Sequence, residues 1–195
     1  MEIGFCAKPD QIGLVAAAGF DYIELPVSFI AGMSEEEFSG CLETVKAGSI
    51  PAPSFNVLFP GELALLDSGT EDSKIASYLH GALSRVKRLG GRVVVFGSGR
   101  SRKCPEDMDY CDAFRRLIQV TRLIGDAAEK YDVTIAVEPL NRGETNMINS
   151  LGEGACLVAA VNHPRVRLLA DYYHIAIWAW AIPEIRSISS GGCPS

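Results

Sequence analysis

Short runs rich in Val, Ile and Phe recur along the chain at residues 2–6, 22–27, 53–59, 92–96, 133–140 and 166–172. Several are apolar almost throughout rather than alternating, the pattern of parallel strands covered on both faces. Between them the apolar positions change to a helical period. Ser34 with Glu37 forms a capping box, and Phe38, Cys41, Leu42 and Val45 then share one helix face. Ile75, Leu79, Leu83 and Val86 keep that period until Gly90 and Gly91 stop the helix. Phe114, Leu117, Ile118 and Ile124 mark a third helix ending before Asp132, and a shorter one spans 150–160 ahead of His163 and Pro164. No linker or low-complexity stretch interrupts the alternation, so residues 1–195 are expected to form a single α/β domain.

Six such units in 195 residues average about 33 residues each. A closed parallel (β/α) barrel has eight units in about 250 residues. The expectation is therefore a TIM-type barrel that is incomplete, with about six of its eight units and the last two lacking. The rival architecture is an open doubly wound sheet, which needs no further units. That sheet usually carries a G-x-G-x-x-G turn after its first strand, whereas Cys6, Ala7, Lys8, Pro9 and Asp10 supply no glycine here. After Tyr173 and His174, Trp178 and Trp180 suit a buried helix, and Glu184 follows Pro183 in what reads as a peripheral one. The final Gly-Gly-Cys-Pro-Ser has the look of an interrupted sequence.

Composition narrows the function classes. The hydrophobic fraction of 48% supports one sizeable core. A net charge of −6 with acids and bases interspersed offers no phosphate-neutralising surface, which argues against nucleic acid as a partner. No run of about 18 apolar residues is available to span a membrane, and the first residues do not resemble a signal peptide. A cytoplasmic protein is expected. The six cysteines lack a C-x-x-C pair, and Cys6 and Cys156, lying in apolar segments, read as core packing.

Two segments carry candidate chemistry. Glu138 ends a strongly apolar run and is followed by Asn141 and Glu144; Asp171 ends the next and is followed by His174. In a parallel barrel the strand C-termini form the functional face. One carboxylate there is as easily a helix cap or an ion-pair partner. Two on successive strands, about 4.8 Å apart, can reach one cation, and hard oxygen ligands favour Mg²⁺ or Mn²⁺, with Co²⁺ accepted if a histidine joins them. Glu24, ending the second strand, either enters the pocket or pairs with a neighbouring base. Asn56 is a pocket candidate, Phe59 either pocket or packing, and residues 97–102 either a phosphate cradle or, more simply, a flexible turn. His80 and His163 read as structural or solvent-facing.

The run E-P-L-N-R-G-E-T-N at 138–146, followed by A-D-Y-Y-H at 170–174, resembles the sugar phosphate isomerase/epimerase superfamily, the xylose isomerase-like barrels that include ketose 3-epimerases and hydroxypyruvate isomerases. The likeness extends to I-E-L-P, F-N-V-L-F-P-G and V-V-V-F-G-S-G earlier in the chain. It implies a metal-dependent isomerase or epimerase of small ketoses, ketose phosphates or hydroxy-keto acids, working by proton transfer through an enediolate. By the same resemblance Glu138 is a metal ligand and acid/base group, Asp171 a metal ligand, and His174 and Glu144 substrate-binding groups; Asn141 and Glu24 are added as substrate-binding candidates. The family's other ligands, a histidine near strand seven and a glutamate on strand eight that is also the second acid/base group, are expected to fall outside this chain. A non-catalytic remnant, or a sugar-binding fragment that needs another chain, is the alternative. The superfamily's multi-histidine DNA-repair enzymes fit poorly, since only three histidines occur and one lies at a strand end. An open arc exposes two strand edges, so self-association is expected; a single sharp monomer peak in light-scattering chromatography would contradict it.

Overall fold

A computed structural model describes residues 1–180, with side chains through Ile177. Six strands form one sheet: β1 (Gly4–Cys6), β2 (Tyr22–Pro26), β3 (Ser54–Asn56), β4 (Val93–Phe96), β5 (Thr134–Val137) and β6 (Val166–Leu168). All neighbours are parallel and the spatial order is β1-β2-β3-β4-β5-β6. That strictly sequential order decides between the two architectures. A doubly wound sheet reverses direction at its switch point, whereas a barrel adds each strand beside the last. Among the described residues the sheet does not close, and β1 and β6 are its edges.

The connecting helices are α1 (Ile12–Ala17), α2 (Val27–Ala31), α3 (Glu35–Ala47), α4 (Asp72–Arg88), α5 (Tyr110–Lys130), α6 (Leu151–Val161) and α7 (Tyr172–Trp180). Where the sequence signals were strong the elements form as expected. Ser34 accepts from the Glu37 amide and Glu37 reaches back to the Ser34 amide, closing the capping box of α3. Asp109 and Ser150 cap α5 and α6 in the same way, each accepting from a first-turn amide. The two shortest helices, α1 and α2, have too few turns to show a period. Each is held by two buried side chains, Ile12 and Val15, or Val27 and Ile30.

Strands are shorter than the apolar runs that announced them. Pro26 has no N–H to extend the ladder, so β2 stops there and Val27 opens α2. After Asn56 the chain turns through Val57 at φ 47°, a left-handed conformation that a β-branched residue adopts only at a strain. Beyond Val137, Glu138 still donates its amide to Phe96 O at 3.2 Å, but Pro139 ends the pairing.

The two faces of the sheet differ. Ile23, Leu25, Phe55, Val94, Phe96, Ile135, Val137 and Val166 are fully buried against the helices, with Leu79, Leu83, Val86, Leu117, Val120 and Ile124 opposite them. The intervening positions, facing inward, carry Cys6, Tyr22, Glu24, Ser54, Asn56 and Thr134. β2 and β3 therefore alternate, unlike the almost uninterrupted apolar pattern read in several of the runs. Cys6 and Cys156 also depart from expectation: both are exposed. Cys6 ends β1 on the inner face, at the mouth of the cleft formed by the strand C-terminal ends, and Cys156 is exposed on α6. The segment from residue 181 onward, including Glu184 and Cys193, lies outside the described residues, as do the side chains of Trp178 and Trp180. No helix among the described residues is long and apolar enough to cross a membrane.

Candidate functional site

The C-terminal ends of the strands open into a cleft of about 690 Å³, with Cys6, Glu24 and Asn56 on one wall and Glu138, Asp171 and His174 on the other. Glu138 leaves β5 directly into it and its side chain is 16% exposed. Asp171 comes from the turn between β6 and α7. Its Oδ1 accepts from the Tyr173 amide at 2.7 Å, capping α7, and its Oδ2 faces His174. The capping role and the site role, alternatives in the sequence, coexist on the two oxygens of one carboxylate. Glu138, Asp171 and His174 each offer a ligand atom, and these atoms lie within 4.8 Å of one another.

Burial first, then the neighbouring Asp171 carboxylate, push Glu138 up to about 7 from the ordinary glutamate range. Two carboxylates brought together away from water share a proton or gather a cation. Their oxygens suit a hard divalent ion such as Mg²⁺ or Mn²⁺.

The ring of His174 has a defined orientation. Its Nδ1 accepts from the Asn141 amide at 3.2 Å and stands 3.1 Å from the Asn141 Nδ2, another donor. With Nδ1 occupied as an acceptor, the neutral ring carries its proton on Nε2. Nε2 lies 4.0 Å from both Glu138 Oε1 and Asp171 Oδ2, so the face that His174 turns to the cleft is an N–H donor. That suits an oxygen of a bound molecule better than a metal ion, which needs the lone pair. The Asn141 side chain lies behind this layer instead of lining the cleft. Its Nδ2 donates to Glu144 Oε1 at 2.8 Å and its Oδ1 accepts from the Gly143 amide. Asn141 thereby orients the two cleft residues, His174 and Glu144, from below. The loop from 140 to 149 is closed by Asn149, which donates to the carbonyls of Leu140 and Thr145.

On the opposite wall, register places Cys6, Glu24 and Ser54 side by side across β1, β2 and β3. Cys6 Sγ donates to Glu24 Oε1 at 3.3 Å, and Ser54 Oγ to Oε2 at 2.5 Å. Glu24 therefore enters the cleft and is held by a thiol and a hydroxyl, with no ion pair to a base among the described residues. Partial desolvation at the cleft wall, although the residue is exposed, and the adjacent Glu24 raise Cys6 to about 11, so its thiol is a neutral donor and not a nucleophile. Asn56 lines the cleft. Phe59 is packing, stacked edge-on to Phe96 with ring centroids 5.7 Å apart.

In the turn after β4, Gly97, Ser98 and Gly99 line the cleft. Ser98 accepts from the Phe59 amide, Ser101 Oγ donates to Pro60 O, and Leu65 donates to Ser101 O, so the turn is tied to the preceding loop. Arg102 turns inward and is fully buried. Gly97 leaves space for Glu138: a Cβ there would collide with Glu138 Oε2. In the sequence Arg102 and Gly97 read only as parts of a phosphate cradle or a flexible turn, and neither is tied to Glu138 there.

A family model described as a xylose isomerase-like TIM barrel matches residues 12–190. The chain belongs to that family. Among curated relatives of this barrel family, a D-psicose 3-epimerase of Ruminiclostridium cellulolyticum is 27% identical over 174 residues, covering 84% of this chain and 56% of the relative. A D-psicose 3-epimerase of Agrobacterium fabrum is 25% identical over 171 residues, covering 84% and 57%. The chain thus spans a little over half the length of these relatives. A crystal structure of a D-psicose 3-epimerase determined in the presence of D-fructose superposes with a TM-score of 0.78 at 22% identity, covering 91% of this chain and 65% of that one. At that identity the superposition shows a shared fold: the six sequential strands are a barrel arc.

Proposed function

We propose that this chain provides the metal- and substrate-binding face of a sugar isomerase or epimerase acting on small ketoses. The observation that carries this reading is the convergence of Glu138, Asp171 and His174 at the C-terminal ends of β5 and β6. The curated relatives named as D-psicose 3-epimerases point the same way.

Glu138 and Asp171 would hold the ion, Mn²⁺ or Mg²⁺ by the hardness of their oxygens. Bound there, a divalent cation supplies polarisation of a sugar's carbonyl and adjacent hydroxyl. Glu138 would accept the proton from the carbon α to the carbonyl, leaving an enediolate, and a second acid/base group would deliver a proton from the opposite face. The Nε2–H of His174 and the carboxylate of Glu144 orient the sugar's oxygens, and Glu24 holds a hydroxyl at the far wall. The residues lining the cleft include Glu24, Glu138, Glu144 and Asp171 and, among the described residues, no Lys or Arg. That field favours an uncharged ketose over a ketose phosphate or keto acid.

Isotope exchange tests the reading. Exchange of the α proton needs one base, whereas net epimerisation needs a second on the opposite face. Incubated with Mn²⁺ and D-fructose in D₂O, the chain is expected to place deuterium at the carbon α to the carbonyl, detected by NMR, and Glu138→Gln is expected not to. A chain that binds Mn²⁺ and ketose but exchanges no proton supports the second reading, a sugar-binding fragment that acts only with another chain. The edges of β1 and β6, unpaired among the described residues, favour that association.

A further inference from the structure

Among the described residues, Arg102 is the one charged side chain in the fully buried core, with no exposed surface. Its Nη1 donates to Phe96 O at 3.0 Å and its Nη2 to Glu138 O at 2.6 Å. Its guanidinium carbon lies 5.6 Å from the centre of the Phe96 ring. No carboxylate forms an ion pair with it among the described residues, and Nε has no partner. This is an expensive way to fill a core. An unpaired buried charge carries a desolvation penalty of several kcal/mol, and an apolar side chain of like volume commonly serves stability as well or better. Something other than packing must account for a cation at that point.

The two acceptors show what it does. Phe96 is the last residue of β4, and Glu138 is the first beyond β5. The ladder between these strands runs out there: Val137 is the last registered partner of Phe96, followed by one further bond from the Glu138 amide to Phe96 O. Arg102 adds two bonds where the sheet stops adding its own. Its planar fork bridges carbonyls that come from residues far apart in sequence, a geometry that lysine cannot reproduce.

We propose that Arg102 is the positioning residue of the acidic site, tying the ends of β4 and β5 together beneath the cleft and so fixing the point at which Glu138 leaves the sheet. The inference rests on Glu138 being a ligand of the site. It adds a residue outside the cleft that acts through the backbone of that ligand. The buried charge has a second effect. Glu138 feels it, and it partly offsets the crowding by the Asp171 carboxylate above.

The test compares Arg102→Lys and Arg102→Met in the 195-residue chain with Arg85→Met. Arg85 also bonds backbone carbonyls, those of Ile30, Ala31 and Met33, but on the helix layer away from the cleft. Arg85→Met is expected to lower the melting temperature while leaving the dissociation constant for Mn²⁺ within about twofold. Arg102→Met is expected to weaken Mn²⁺ by tenfold or more and to speed amide exchange in residues 93–98 and 134–141, with Arg102→Lys between it and the parent. If Arg102→Met does not fold, Arg102→Lys decides. A folded Arg102 variant with parental exchange in those two segments overturns the proposal, as does parental Mn²⁺ affinity. If the parent chain itself binds no Mn²⁺, the metal reading of the site fails on its own, and the exchange rates alone decide whether Arg102 is the clamp.

Discussion

In the presence of a chelator, Glu138→Gln is expected to make the protein more stable at pH 8 and to change it little at pH 5. The sign follows from the direction of the shift. Burial and Asp171 raise the pKa of Glu138 in the folded state to about 7 from its ordinary 4.5. Below the lower value both folded and unfolded chains hold the proton, and the folded state carries no penalty. As pH rises through this window the unfolded chain releases its proton while the folded chain resists, so stability is lost; above about pH 7 the full penalty is present. With a discount for the part of the side chain that reaches solvent, the penalty is about 2 kcal/mol. Glutamine keeps the shape without the charge. At 2–4 °C per kcal/mol for a chain of this size, the variant should melt about 4–8 °C above the parent at pH 8. Equal melting temperatures at pH 8 would show that Glu138 is not under electrostatic pressure. A residue whose ionised form destabilises the fold, and whose removal strengthens it, is typical of a functional position.

The second large effect concerns a residue with no side chain. Gly97→Ala is expected to weaken Mn²⁺ binding tenfold to a hundredfold and to cost about 1–3 kcal/mol of stability. The added methyl would occupy the position of Glu138 Oε2 and would also touch Leu140 Cδ2 at 3.5 Å. Gly97 directly follows the last residue of β4, itself held by the Arg102 clamp, so its backbone has little freedom to move away. The carboxylate must swing out instead. Gly13→Ala in α1 serves as the comparison, because its Cβ meets nothing within 4 Å. Mn²⁺ affinity unchanged by Gly97→Ala would mean that Glu138 binds in an orientation different from the one seen.

Much of this arrangement is legible from residues alone, and the parts that are not share a cause. Ser34 with Glu37, and the repeat of Ile75, Leu79, Leu83 and Val86, are local signals, so α3 and α4 appear where they were expected. Glu138 and Asp171 stand out because an acid at the end of an apolar run is conspicuous. What escapes is whatever depends on the third dimension. Cys6 looks like core in an apolar run, yet the face it occupies is set by pairing with Glu24 across the sheet. Asn141 is polar and close in sequence to Glu138, but whether it meets a ligand or supports its neighbours depends on His174, 33 residues later. Arg102 is the extreme case. An arginine in a turn rich in Gly and Ser reads as solvated, and only the meeting of β4 and β5 makes it the buried clamp beneath the site.

The central claim is that Glu138 and Asp171 form one divalent-metal site. Calorimetric titration of the 195-residue chain with Mn²⁺, beside Asp171→Ala, tests it most directly. The account predicts saturable binding by the parent that Asp171→Ala weakens by at least tenfold. Absence of binding by the parent, or equal binding by both proteins, would contradict it.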